Sequence, residues 1–154
     1  MSDTQSLVKT INNGSLTARL HLTLGRTEGG NGLLDEADRH FLAAKSLLAS
    51  TPNAWLEGLY FVDTSTIAFL RSDFANGIRL AEQALACASR SGHQRTRAAA
   101  LINMGTCYLC QGDHTKAEHY FLKTSETQCD NKEVEAALLD ARAELELVRG
   151  ESHK

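Results

Sequence analysis

Three stretches of this chain agree in physical type position by position, and this constrains its fold more than any other feature. GRTEGGNGLLDEADRHFLAA begins at Gly25, STIAFLRSDFANGIRLAEQA at Ser65 and GTCYLCQGDHTKAEHYFLKT at Gly105, an offset of 40 residues both times without a gap. Gly25, Ser65 and Gly105 are small, and Gly32, Ser72 and Gly112 each fall where a turn is expected. Ala37, Gly77 and Ala117 are small again, each followed four residues later by Phe41, Ala81 or Phe121; Ala44, Ala84 and Thr124 close the pattern. Such self-similarity marks a stacked-repeat architecture. With a single proline, Pro52, and apolar residues three and four apart, the repeated unit is helical. Small residues inside helices let two helices approach closely, and the large residues beside them fill the space between neighbouring pairs. The unit is thus a helix, a tight turn and an antiparallel helix, and stacking such units buries one continuous core.

Local signals place helices near 16–28, 33–50, 54–71, 73–90, 94–111 and 114–128, paired as repeats 16–51, 54–91 and 94–129. Gly92 and Gly112 end the fourth and fifth helices, Asp113 caps the sixth, and Pro52 lies between the first two pairs. Asp130 and Glu133 have the spacing of a capping box. Beyond them, Val134, Leu138, Ala141, Leu145 and Val148 share one stripe, so residues 131–149 read as an amphipathic helix covering the apolar flank of the last pair. The start, residues 3–12, is either a short helix or a disordered lead-in. The expectation is one all-α domain over 1–154, a right-handed helical-repeat solenoid of three antiparallel helix pairs plus a C-terminal capping helix.

These columns resemble the tetratricopeptide repeat. Gly105 and Tyr108, the Gly112-Asp113 turn, Ala117 and Phe121 carry the resemblance in the third repeat, and Leu24, Gly25, Gly32, Ala37, Phe41 and Ala44 in the first. Ser65, Gly77 and Ala81 stand in for the family's residues in the second, and Glu28 occupies an aromatic position of the first. The likeness runs over roughly residues 16–130 as a long-period variant, since the family repeats every 34 residues; HEAT-type repeats also accommodate a period of about 40. The resemblance implies a concave face lined by the first helix of each pair. Helical spacing there selects Arg19, Leu22, Thr23 and Arg26, then Leu59, Asp63, Thr66 and Leu70, then Ala99, Asn103, Thr106 and Cys110. Arg19, Arg26, Asp63, Thr66, Asn103 and Thr106 are the candidate partner-binding residues. Arg26→Ala and Asp63→Ala are expected to weaken partner binding while barely changing stability. Some family members grip chaperone carboxy-terminal peptides with basic and Asn side chains; here only Asn103 matches, and Asp63 would repel a carboxylate.

Charge and cysteine chemistry narrow the function. A net charge of -3 offers no overall basic field for nucleic acid or anionic membrane. No apolar run approaches the roughly 20 residues of a membrane span, and the polar MSDTQSLVKTINNG start lacks a signal-peptide core, so a cytoplasmic address is expected. Cys107 and Cys110 form a C-x-x-C near the carboxyl end of their helix, where the dipole works against a thiolate, so they read as packing residues. His114 and His119 lie near them without the convergence that zinc needs. Asn31-Gly32 stands where a phosphate loop requires Lys-Ser/Thr. Arg90, His93, Arg95 and Arg97 form a small basic patch, read as a solvated turn, with an acidic partner or phosphate as the alternative. The acids Asp35 and Glu36 suit a helix start. No nucleophile–base set, metal or cofactor is implied, and an enzyme is not expected. The reading is a protein- or peptide-binding adaptor, with no nucleic-acid or membrane partner and with homodimerisation left open. The alternatives are a ligand- or peptide-sensing module of a larger bacterial-type regulator and, third, a metal- or redox-responsive helical protein.

Overall fold

A computed structural model describes residues 13–151, and among them the chain is helical throughout with no strand. Seven helices follow one another: α1 Gly14–Gly30, α2 Leu34–Ser50, α3 Ala54–Leu70, α4 Phe74–Ser91, α5 Gln94–Cys110, α6 His114–Ser125 and α7 Lys132–Glu151. Helices α1–α2, α3–α4 and α5–α6 pack as consecutive pairs; α3 also packs on α1 and α2, α5 on α3 and α4, and α7 on α5 and α6. The expected lead-in at residues 3–12 lies outside the described residues.

The turns inside the pairs show why the chain reverses where it does. Gly32, Ser72 and Gly112 have φ of 80°, 60° and 79°. At each, the following residue's N–H reaches back to a carbonyl five residues earlier: Leu33 to Glu28, Asp73 to Ala68 and Asp113 to Tyr108. This Schellman geometry satisfies last-turn carbonyls and demands a left-handed residue, which glycine adopts freely and Ser72 adopts under strain. Asp73 and Asp113 then cap α4 and α6 by accepting from the backbone N–H of Asn76 and Lys116. Asn13, Asn53 and His93 cap the three first helices in the same way, whereas Leu33 gives α2 no side-chain cap.

Two expected boundaries change. Asn131, rather than an Asp130–Glu133 capping box, caps α7, its Oδ1 accepting from the N–H groups of Glu133 and Val134. Helix α6 stops at Ser125 instead of 128, its last turn closing through Glu126 onto the Leu122 and Thr124 carbonyls. On α7, Val134, Leu138, Ala141 and Leu145 meet the third pair, with Ala117, Phe121 and Leu109 on one side and Ala98 and Ile102 on the other. Val148, expected on the same stripe, is 38% exposed.

Close approach within the pairs explains the small residues. A Cβ on Gly25 would come within 2.7 Å of the Phe41 ring, and one on Gly105 would overlap Phe121. The second pair has Ser65 and Ala81 at the corresponding places, both fully buried. There Ser65 Oγ donates 2.8 Å to the Gly77 carbonyl, and Cys107 Sγ from α5 would stand 3.0 Å from a Cβ on Gly77.

Candidate partner-binding groove

The first helices α1, α3 and α5 bring one face of each to a shared cleft of about 510 Å³, lined by Arg19, Leu22, Thr23 and Arg26, by Trp55, Leu59, Val62 and Asp63, and by His93, Arg95, Thr96 and Ala99, with Glu133 contributed by α7. Leu59 and Val62 supply apolar surface, while guanidinium groups from Arg19, Arg26 and Arg95 supply charge. This is the composition of a site that grips a ligand by apolar burial and orients it by a few polar groups.

Most of the polar side chains here bind each other across neighbouring pairs. Arg26 engages Asp63 through two parallel hydrogen bonds, Nε to Oδ1 and Nη2 to Oδ2, both 3.0 Å. Asp63 is only 7% exposed. Burial pushes its carboxyl above the usual range and the Arg26 hydrogen bonds pull it back, while the same bonds raise Arg26. Such a bidentate pair is strong and directional. It also overturns the expectation that Arg26→Ala and Asp63→Ala would leave stability almost untouched: losing Arg26 strands a buried carboxylate. Asn103 Nδ2 donates 3.2 Å to the Val62 carbonyl and to Thr66 Oγ1, tying α5 to α3. Thr106 turns its hydroxyl to the Ile102 carbonyl of its own helix. Arg95 pairs with Glu133, tying α5 to α7.

Arg19 differs from the other two arginines of the cleft. Its guanidinium lies 5.6 Å from the centre of the Trp55 ring, and among the described residues no carboxylate lies within ion-pairing distance. The other side of the cleft brings His93 to 5.7 Å from the same indole, centre to centre. His93 Nδ1 accepts from the Thr96 N–H and lies 2.7 Å from Thr96 Oγ1; burial and nearby Arg95 lower its pKa, favouring neutral imidazole. Trp55 Nε1 is buried without a hydrogen-bond partner. Sequence reasoning did not select Trp55, although it stands four residues before Leu59, on the same face of α3.

The basic patch expected around residues 90–97 is dispersed. Arg90 pairs with Glu57 at 2.6 Å, Arg95 faces the groove, and Arg97 lines a separate cleft between α4 and α6. Cys107 is fully buried, and burial, with Cys110 nearby, pushes its pKa up to about 11. Its thiol is therefore a packing group against Gly77. Cys110 is exposed. No helix among the described residues is long and apolar enough to cross a membrane.

Stacked helix pairs with a cleft along their first helices define a helical-repeat scaffold. Residues 65–130 match the family model of the tetratricopeptide repeat. Over that stretch the chain is similar to the tetratricopeptide-repeat family, whose usual work is binding other proteins, generally without catalysis. No curated protein and no solved structure matched the chain.

Proposed function

We propose that the chain is a non-enzymatic adaptor whose groove holds a peptide segment of another protein, anchored by an acidic residue beside Arg19 and Trp55. The observation that supports this is the unbalanced pair at that spot. Arg19 carries a charge that no described carboxylate answers, and the indole N–H beneath it lacks an acceptor. A buried unpaired donor costs about 1–3 kcal/mol, and an arriving carboxylate would serve the guanidinium and, after a small turn of the ring, the indole. Leu59 and Val62 offer the neighbouring peptide residue an apolar bed. Arg26, Asp63, Thr66 and Asn103 shape the groove by tying α1 to α3 and α3 to α5, with Arg26 also available at its wall, while Thr106 bonds within its own helix.

Selection from a random peptide library on the immobilised full chain tests this reading. Enriched peptides should carry Asp or Glu next to a large apolar residue, and Arg19→Ala should weaken them about tenfold, roughly the value of one charge-assisted hydrogen bond. Enrichment of neutral or basic peptides, or indifference to Arg19→Ala, would defeat it. The cleft's volume also suits a small anionic ligand, which favours the sensing-module reading as second choice. A melting shift produced by small dicarboxylic acids and absent from Arg19→Ala would favour that reading over the adaptor.

A further inference from the structure

Helix α7 has two opposite apolar faces, and the third helix pair occupies only one. Val134, Leu138, Ala141 and Leu145 pack inward. On the other side Ala136, Leu139, Ala143 and Leu147 follow at spacings of three, four and four residues, the rhythm of a helical stripe. Leu139 and Leu147 are each 68% exposed, among the most exposed large apolar side chains of the described chain. A capping helix whose only task was to cover the third pair would be polar on this side. Alternation of small Ala136 and Ala143 with Leu139 and Leu147 produces hollows and ridges that another helix can interdigitate with.

Charge along the stripe selects the occupant. Glu133, Asp140 and Glu144 follow one border, and Glu135, Arg142 and Glu146 the other. Glu133 already pairs with Arg95, and Glu146 with Arg149 at 3.6 Å, which leaves Glu135, Asp140 and Glu144 facing solvent beside the stripe. A second copy of α7 packed antiparallel about a two-fold axis would set the Glu133–Asp140–Glu144 border against itself. A parallel copy would set it against Glu135, Arg142 and Glu146, two acids and one base. Both arrangements juxtapose like charges, which costs stability at a helix–helix seam. A helix with an apolar stripe between Lys or Arg borders meets acids along both borders and a like charge only at Arg142.

We infer that the outer face of α7 is a docking surface for a basic amphipathic helix of a partner protein, separate from the groove. The test uses the full chain and a fluorescein-labelled synthetic helix with a Leu/Ala stripe and Lys borders, with its Glu-bordered counterpart as control. Fluorescence anisotropy should show saturable binding of the Lys peptide, at least tenfold weaker for the Glu peptide and weakening as salt rises. Leu139→Gln with Leu147→Gln should reduce binding at least tenfold, as should Asp140→Lys with Glu144→Lys. All four side chains are exposed, so circular dichroism melting should be unchanged in both variants. Equal binding of both peptides, or binding by the Leu139→Gln/Leu147→Gln chain equal to that of the parent, would overturn the inference. So would a concentration-dependent dimer in sedimentation that the Leu variants abolish, because that result assigns the face to a second copy. Retained groove binding by these variants would keep the outcome independent of the proposed groove function.

Discussion

The second and third helix pairs meet the same demand, two helices in close contact, with different chemistry. In the third pair the absent side chain of Gly105 receives the ring of Phe121, and Ala117, Leu109 and the α7 residues Ala141 and Leu145 close around it. In the second, Ser65 and Ala81 leave less apolar bulk at those places, and polar ties take over part of the work. Ser65 bonds the Gly77 carbonyl and Glu57 bonds Arg90 within the pair, while Asp63 bonds Arg26 of the first pair and the Val62 carbonyl and Thr66 receive Asn103 of the third. Apolar interlocking tolerates changes of pH and salt but not of volume, whereas polar ties tolerate neither loss of one partner nor protonation.

The sharpest way to break the comparison is by volume. Gly105→Leu should destabilise the fold by more than about 3 kcal/mol, the upper end for overpacking, because the new side chain would occupy the Phe121 ring's place. Urea denaturation gives the number, and a loss below about 1 kcal/mol would mean that the third pair is not interlocked.

Next comes charge. Arg26→Ala should cost about 2–3 kcal/mol, below the 3–5 of a fully buried pair because the Arg26 side chain is 52% exposed. Arg26→Ala combined with Asp63→Leu should recover much of that loss, since no carboxylate is then stranded. Failure of the second substitution to rescue would show that packing, not charge, holds the second pair to the first.

A smaller effect isolates one hydrogen bond. Ser65→Ala should cost about 1 kcal/mol by removing a fully buried hydrogen bond to the Gly77 carbonyl, which keeps its place in the helix ladder of α4. If that substitution is neutral, the polar account of the second pair is wrong.

The smallest effect concerns pH. The His93 pKa is lowered by burial and Arg95, and its Nδ1 must be unprotonated to cap α5; the His21 pKa is lowered by burial and His40, whose Nδ1 lies 2.9 Å from its own. A folded pKa below the ordinary 6.5 means that the unfolded chain binds more protons in that window. Stability is therefore full above pH 6.5 and declines as pH falls through the lowered folded values. Denaturation midpoints at pH 7.5 and 5.5 should differ accordingly. His93→Asn, which keeps a cap worth about 1 kcal/mol without a titrating ring, should flatten part of the slope.

What the sequence made legible was whatever has a local signature. Gly32, Ser72 and Gly112 mark turns because few residues adopt positive φ, and Asp113 marks a helix start because its carboxylate reaches the next turn. The groove face followed from helical spacing, and Arg19, Arg26 and Asp63 do line one cleft. The partners of these residues were not legible in the same way. Arg26 and Asp63 lie 37 residues apart, on helices that meet only after stacking, as do Thr66 and Asn103 at 37 and Arg95 and Glu133 at 38. Those near-constant separations were a usable signal: a first-helix residue meets its neighbour's residue about one turn short of the full repeat. Trp55 carried a second missed signal, since the only tryptophan in the chain falls on the groove face of α3.

The ties from Arg26 to Asp63, from Asn103 to Val62 and Thr66, and from Arg95 to Glu133 run in series from α1 through α3 and α5 to α7. Mechanically they act as cables joining successive first helices, adding to the stack's resistance to stretching. A partner whose carboxylate took Arg26 from Asp63 would slacken the first cable, and a cation that took Glu133 from Arg95 would slacken the last. The elastic stiffness of the whole array would then depend on which end is occupied, so ligands at its two ends would feel one another through tension rather than through contact.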